Sequence, residues 1–162
     1  MNDKLSRIKV FIMDVDGTLT DGKLYIGENR ESFKVFNVKD GLGIKLLINE
    51  DIIPVIISGR SSKIVLYRAK ELGIKEIYQG VKDKIKIFEF LKKKYNLCND
   101  NFAFIGDDLN DLPLMKLVGF KFVVKNASKE LLDIADYVSK YNGGEGAVRD
   151  AINFIIENRK KI

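Results

Sequence analysis

Asp14 and Asp16 stand directly after the apolar run Val10-Phe11-Ile12-Met13, in the segment Asp14-Val15-Asp16-Gly17-Thr18. A second acidic group, Gly106-Asp107-Asp108-Leu109-Asn110-Asp111, follows the run Phe102-Ala103-Phe104-Ile105. Between them come Ser58-Gly59-Arg60, after the apolar run at 52–57, and Lys84, which opens a helix-period stretch. Side chains of these types can carry out phosphoryl transfer. The Asp14 carboxylate can attack phosphorus and form an aspartyl-phosphate. Asp16, beyond the strand end, can protonate the leaving oxygen and then deprotonate the hydrolytic water. Asp14, Asp107 and a phosphate repel one another unless a hard cation joins them. Mg²⁺ takes few protein carboxylates and keeps room for water and phosphate oxygen. Lys84 can neutralise the phosphate and Asp14, and Ser58 offers a hydroxyl to a phosphoryl oxygen.

Taken singly, each segment has a plainer explanation, since Asp after a strand is a common helix cap and Gly17 a common turn residue. Their joint placement is far more specific. Composition narrows the chemistry further. The 162 residues include no His, which excludes Ser–His–Asp and Cys–His catalysis and His-ligated zinc. Cys98 is the only cysteine, which excludes an intramolecular disulfide and a Cys-cluster metal site. Acid–base work falls to Asp, Glu, Lys or Tyr.

Those groups need a scaffold that delivers them to one place. The apolar runs at 10–13, 52–57, 102–105 and 120–124 are continuous rather than alternating, as expected of strands buried on both faces of a parallel sheet. Helix-period stretches at 41–49, 63–72, 83–95, 109–118 and 147–160 alternate with them, and 77–78 and 137–138 offer weaker strands. The N-terminus leads into the first strand-like run. The alternation predicts an open α/β sheet with right-handed crossovers, in which ligands bind beyond the carboxyl ends of the strands. The segments 24–26 and 32–36, flanking 27–30, predict a β-hairpin inserted after the first strand, at about 23–37. With 46% hydrophobic and 31% charged residues and no linker or repeat, 1–162 is expected to be a single domain. The net charge of +5 comes from lysines spread along the chain, which suits solvated helix faces rather than a nucleic-acid surface. No apolar run has the length of a membrane span and the N-terminus shows no cleavage pattern, so a cytoplasmic protein that binds neither membrane nor nucleic acid is expected.

The pieces DVDGT (14–18), Ser58, Lys84 and GDDLND (106–111) resemble, in kind, order and spacing, the haloacid dehalogenase-like (HAD) hydrolases. The resemblance implies a Rossmann-like open, mainly parallel sheet, with Asp14 as nucleophile and Asp16 as general acid/base. It also implies Mg²⁺ held by the Asp14 carboxylate, the Asp16 backbone carbonyl and Asp107, with Asp108 and Asp111 supporting the metal and its waters. DVDGTLTDGKLY, FNVKDGLGIKLL, ISGRSS, YQGVKDK, IGDDLNDLPLM and GGEGAVRD are similar to a cap-less subgroup, the 3-deoxy-D-manno-octulosonate 8-phosphate (KDO 8-phosphate) phosphatases. That resemblance implies a sugar phosphate as substrate, Ser58, Gly59, Arg60 and Lys84 at the phosphate and sugar together with Asp16, and a homotetramer with hairpins at its centre. The short distance from Asp16 to Ser58 leaves no room for a mobile cap.

Some positions depart from the subgroup. Thr18 replaces its usual Val, Lys39 its frequent Arg, and Asp150 its usual Glu. Relatives acting on a nine-carbon keto-acid sugar phosphate carry Glu where Arg60 stands; a guanidinium suits the carboxylate of an acidic sugar, although a local salt bridge would also account for it. The stretch 142–149 reads either as a loop closing over a site, a neighbour's by analogy, or as a flexible helix start rich in glycine. A signalling receiver domain would place its phosphoacceptor Asp after the third strand and its Lys after the fifth, which is not the order here. A non-catalytic oligomeric HAD-like domain would have lost some of the reactive positions, and all are filled.

Overall fold

The computed structural model describes residues 2–28 and 31–159. Six strands form one sheet, parallel throughout: β1 (Val10–Met13), β4 (Ile53–Ile57), β5 (Glu76–Tyr78), β6 (Phe102–Gly106), β7 (Phe120–Val123) and β8 (Tyr137–Val138). Their order is β5-β4-β1-β6-β7-β8. β1 is therefore central. Met13 pairs with Ile56 of β4 and Ile105 of β6, so the residues that follow all three strands emerge along one edge. Among the described residues no helix is long and apolar enough to cross a membrane.

Strand alternation divides the core. Phe11 and Met13 of β1, with Ala103 and Ile105 of β6, face α2 (Val38–Asn49), α3 (Lys63–Glu71) and α7 (Ala147–Asn158). Val10, Ile12, Phe102 and Phe104 face α4 (Lys84–Tyr95), α5 (Leu112–Met115) and α6 (Lys129–Leu132). Because both faces are covered, each central strand is apolar at every position. Full burial of one such Phe or Ile is worth roughly 1.5–3 kcal/mol.

Several local outcomes differ from the sequence reading. The N-terminal residues form a short helix, α1 (Asn2–Ser6), instead of joining the first strand. The stretch 109–118 becomes a 3₁₀ turn at Leu109–Asp111 followed by the four-residue α5, because Asp108 caps the turn and Pro113 suits only the first positions of a helix. Helix α6 carried no period long enough to notice. The helix expected to reach 160 is described only as far as Asn158. The hairpin forms with short strands, β2 (Tyr25–Ile26) and β3 (Glu31–Phe33), whose Tyr25 and Phe33 rings stack 4.5 Å apart. Positions 29 and 30 of its expected turn lie outside the described residues.

The glycine-rich stretch 142–149 packs on its own chain. The Gly144 N–H donates to the Thr18 carbonyl (3.0 Å), and a Cβ on Gly143 would lie 1.7 Å from the Gly17 carbonyl oxygen. The segment braces the turn after β1 from behind and does not arch over the pocket in front of it. Asp150 also has a structural role: its Oδ2 accepts from the Tyr137 hydroxyl (3.0 Å), the Ser139 hydroxyl (3.0 Å) and the Lys140 N–H (3.1 Å).

Asp40 fastens α2 to α7. Its buried Oδ1 accepts from the Arg149 N–H in the first turn of α7 (2.7 Å), while its Oδ2 accepts nothing. Burial pushes its pKa up to about 6, against the opposing pull of that N–H and of the Arg149 and Arg68 guanidinium groups. With the folded value above the unfolded one, its contribution to stability falls as pH rises from about 4 to about 6. Asp40→Asn keeps an acceptor and removes the buried charge. It is expected to unfold at pH 7 no more easily than the parent in urea and to flatten the pH dependence. Asp40→Ala, which strands the Arg149 N–H, is expected to cost about 1–3 kcal/mol.

Candidate active site

Asp14 follows β1, Ser58 follows β4, and Asp107 follows β6; adjacent parallel strands lie roughly 4.8 Å apart, so the three arrive as neighbours. Asp14, Asp16, Ser58, Gly59, Arg60, Asp107 and Asp108 line one open cavity of about 280 Å³, together with Gly22 and Asn110. Lys84 and Asp111 form the wall behind them. Asp83 caps α4 by accepting from the Ile85 N–H (3.0 Å), which fixes Lys84 in the first helical turn. A cation there opposes the helix dipole. Two carboxylates offset that penalty: the Lys84 ammonium donates to Asp14 Oδ1 (2.5 Å) and Asp111 Oδ1 (2.6 Å).

Close approach dictates the residue at position 17. Gly17 has φ +90, and a Cβ there would lie 2.0 Å from Asp107 Oδ2. Only glycine lets the turn after β1 pass the Asp107 carboxylate. Thr18 contributes a long hydrogen bond from its hydroxyl to Asp107 Oδ1 (3.4 Å). Ser58 is buried, and its Oγ accepts from the Arg60 N–H (3.3 Å), leaving its own proton available to a ligand.

Asp14, Asp107 and Asp111 each place a carboxylate oxygen within 4.8 Å of the others. Burial, followed by repulsion from Asp14 and Asp111, raises the Asp107 pKa to about 8. Burial and Asp111 likewise raise Asp14, against the opposing pull of Lys84. Burial alone would discharge Lys84, but Asp14 and Asp111 outweigh it and hold the ammonium above its usual range. Buried, hard, mutually repelling oxygens fit a divalent cation such as Mg²⁺. Asp111 already uses both oxygens, since its Oδ2 accepts from the Asp107 N–H (3.1 Å), so it braces Asp107 and Lys84 from behind. Asp108 uses Oδ1 to cap the following turn (2.8 Å).

Sequence reasoning missed two residues at this site. Lys34 donates to Asp16 Oδ1 and pairs with Glu31 Oε1 (2.8 Å), while the Arg60 Nε lies 3.7 Å from Asp16 Oδ2. Arg60 also reaches Glu31 (3.4 Å), so the local salt bridge is real, but its side chain remains half exposed beside the cavity. No spacing signal pointed to Glu31 or Lys34, because the contacts of Lys34 with Asp16 and of Glu31 with Arg60 and Ser62 arise only when the hairpin folds back. Lys39 does not join this site; it lines a separate cavity with Glu145 and Arg149.

Comparison with known proteins accords with this geometry. Residues 73–152, which carry Lys84 and the 106–111 turn, match the haloacid dehalogenase-like hydrolase family model. The chain is 42% identical over 159 residues to the 3-deoxy-D-manno-octulosonate 8-phosphate phosphatase KdsC of Escherichia coli K12, covering 98% of this chain and 85% of the relative. It belongs to this family of haloacid dehalogenase-like hydrolases. The crystal structure of the phosphatase from Yersinia pestis matches with a TM-score of 0.94 and 41% identity, over 97% of this chain and 85% of that one. The enzyme from Moraxella catarrhalis, in complex with a magnesium ion, a phosphate ion and a KDO molecule, matches with a TM-score of 0.94 and 41% identity, over 98% and 91%.

The family's open α/β scaffold thus carries a cluster of carboxylates that is strained by its own charge. In metal-free buffer, folded Asp107 keeps its proton up to about pH 8 while the unfolded chain loses it near pH 4. Stability of the metal-free protein should fall as pH rises through that window. Mg²⁺ competes with the same proton. The rise in Tm produced by saturating Mg²⁺ is therefore expected to be larger at pH 8 than at pH 5.5, as read by thermal scans; an equal rise at both would count against the cluster as the binding site.

Proposed function

We propose that this chain is a phosphomonoesterase that hydrolyses KDO 8-phosphate to KDO and inorganic phosphate, with Mg²⁺ as cofactor. The observation that carries the reading is the match along nearly the whole chain to phosphatases of that name, joined to a cavity lined by Asp14, Asp16, Ser58, Arg60 and Asp107. The product is the acidic sugar of bacterial lipopolysaccharide, which places the enzyme in its biosynthesis.

The residues divide the work. An Asp14 carboxylate oxygen attacks phosphorus, the bond from phosphorus to the sugar oxygen breaks, and Asp16 gives its proton to that oxygen, releasing KDO. Asp16 then takes a proton from a water that attacks the same phosphorus. The bond to Asp14 breaks and inorganic phosphate leaves. Lys84 holds Asp14 in place and offsets negative charge at the phosphoryl group, and the Ser58 hydroxyl donates to a phosphoryl oxygen. Asp14, the Asp16 carbonyl and Asp107 would hold Mg²⁺, with Asp108 and Asp111 in support. When bound, the ion screens the repulsion between nucleophile and phosphate. Arg60, half exposed at the cavity, is placed to meet the sugar acid.

Phosphate release with Mg²⁺ over eight- and nine-carbon keto-acid sugar phosphates tests the assignment. KDO 8-phosphate is expected to give the highest kcat/KM, and a nine-carbon preference would overturn it. Loss of a charge-assisted hydrogen bond to a desolvated carboxylate costs about 1.5–3 kcal/mol, so Arg60→Ala is expected to lower kcat/KM for KDO 8-phosphate roughly 10- to 100-fold. The loss on p-nitrophenyl phosphate should be clearly smaller; equal losses would mean that Arg60 serves the phosphate or the fold.

The reading extends to a cytoplasmic homotetramer. Support comes from the hairpin, where Ile26, Phe33 and Val35 are exposed at 70%, 51% and 47%. A two-stranded ribbon is marginally stable alone, and this apolar face is left open by the described residues of its own chain. Light scattering at micromolar concentration is expected to give four times the chain mass, and a monomer would refute the assembly.

A further inference from the structure

Lys34 stands apart from the rest of the hairpin. Its neighbours Phe33 and Val35 are open to solvent, yet its own side chain is only 2% exposed. The ammonium bridges two carboxylates: Asp16 Oδ1 on the turn after β1 and Glu31 Oε1 at the start of β3. Glu31 in turn accepts from the Ser62 hydroxyl (3.0 Å) at the start of α3. The hairpin is thereby riveted at its polar face between the turn after β1 and the loop after β4. Burial works against the charge on Lys34, but the hydrogen bonds it donates to Asp16 and Glu31 prevail and keep it an ammonium.

We infer that Lys34 is a positioning residue that fixes the Asp16 carboxyl and selects the oxygen through which it exchanges its proton. The inference rests on the reading of Asp16 as general acid/base. An ammonium has donors only, so the oxygen it contacts must remain an acceptor whether Asp16 is protonated or not. That oxygen is Oδ1. The proton is then better carried on Oδ2: Lys34 grips Oδ1 closely, whereas the Arg60 Nε stands 3.7 Å from Oδ2, beyond hydrogen-bond distance, and leaves it open at the cavity. Without Lys34 the carboxyl is free to rotate and to present its proton away from the leaving oxygen. Glu31 supports the arrangement by holding the other side of the ammonium.

The leaving group supplies the test. A sugar alkoxide is a poor leaving group and needs the proton from Asp16, whereas p-nitrophenolate leaves readily without one. Lys34→Met in the Mg²⁺-loaded enzyme is expected to lower kcat on KDO 8-phosphate roughly 10- to 100-fold, within the range that general acid catalysis supplies. KM for KDO 8-phosphate should change little. In kcat/KM, which ends at departure of the leaving group and so omits the water step that Asp16 serves for every substrate, the loss on p-nitrophenyl phosphate should be about tenfold smaller. In an Asp16→Asn background the same substitution should add no further loss, because the group it positions is gone. Lys34→Gln, whose amide carries an acceptor as well as donors and so no longer dictates which oxygen bears the proton, is read the same way if the Met variant does not fold. Equal losses of kcat/KM on both substrates, or losses that add in the Asp16→Asn background, would show a merely structural lysine. A change confined to KM would show a substrate-binding one. Either overturns the inference while leaving the phosphatase reading intact. Undiminished KDO 8-phosphate turnover by Asp16→Asn would overturn the acid/base reading itself and the inference with it.

Discussion

The buried ammonium of Lys84 makes the rest of the site possible. Burial and then repulsion from close carboxylates raise the proton affinity of Asp14 and Asp107, and a set of like charges cannot be assembled in an apolar interior without a counter-charge. Lys84 supplies it from a helix start where a cation is otherwise disfavoured, and so ties α4 to the ends of β1 and β6. Removing it would leave carboxylates both unpaired and buried, which costs far more than a surface ion pair contributes. The arrangement still has an excess of negative charge, and that excess gives the site its appetite for a divalent cation.

Steric constraint completes what charge begins. Gly17 must lack a Cβ because Asp107 occupies that space, and Gly143 because the Gly17 carbonyl does. The turn that carries Asp16 is thus gripped between β6 in front and the glycine stretch behind, with the hairpin lysine on its flank. Three segments distant in sequence fix one short turn. This turn can then be held without a second domain folding over it.

The sheet was legible in the sequence because both its faces are covered: Val10 to Met13 and Phe102 to Ile105 are apolar throughout. The candidate edge was legible because Asp14, Ser58 and Asp107 lie just beyond apolar runs. The helix at 109–118 was misjudged because local capping by Asp108 and the position of Pro113 outweighed a weak apolar period. Glu31 and Lys34 were invisible for a different reason. Their importance depends on how a two-strand insertion folds back, and neither composition nor spacing encodes that contact. The glycine stretch at 142–149 was recognised as unusual, but its partner, the backbone of Gly17 to Asp21, is a tertiary fact.

The central position of β1 has an evolutionary corollary. Asp14, Ser58 and Asp107 hang from β1, β4 and β6, whose mutual distance is set by backbone pairing and not by side-chain choice. Drift in the outer strands β5, β7 and β8, or in the hairpin, leaves that spacing untouched. Arg60, by contrast, sits on the loop after β4. Such a molecule inherits its reaction as a fixed measure and its selectivity as an adjustable fitting, so descendants can change which sugar they accept far sooner than they can lose the ability to cleave a phosphate ester.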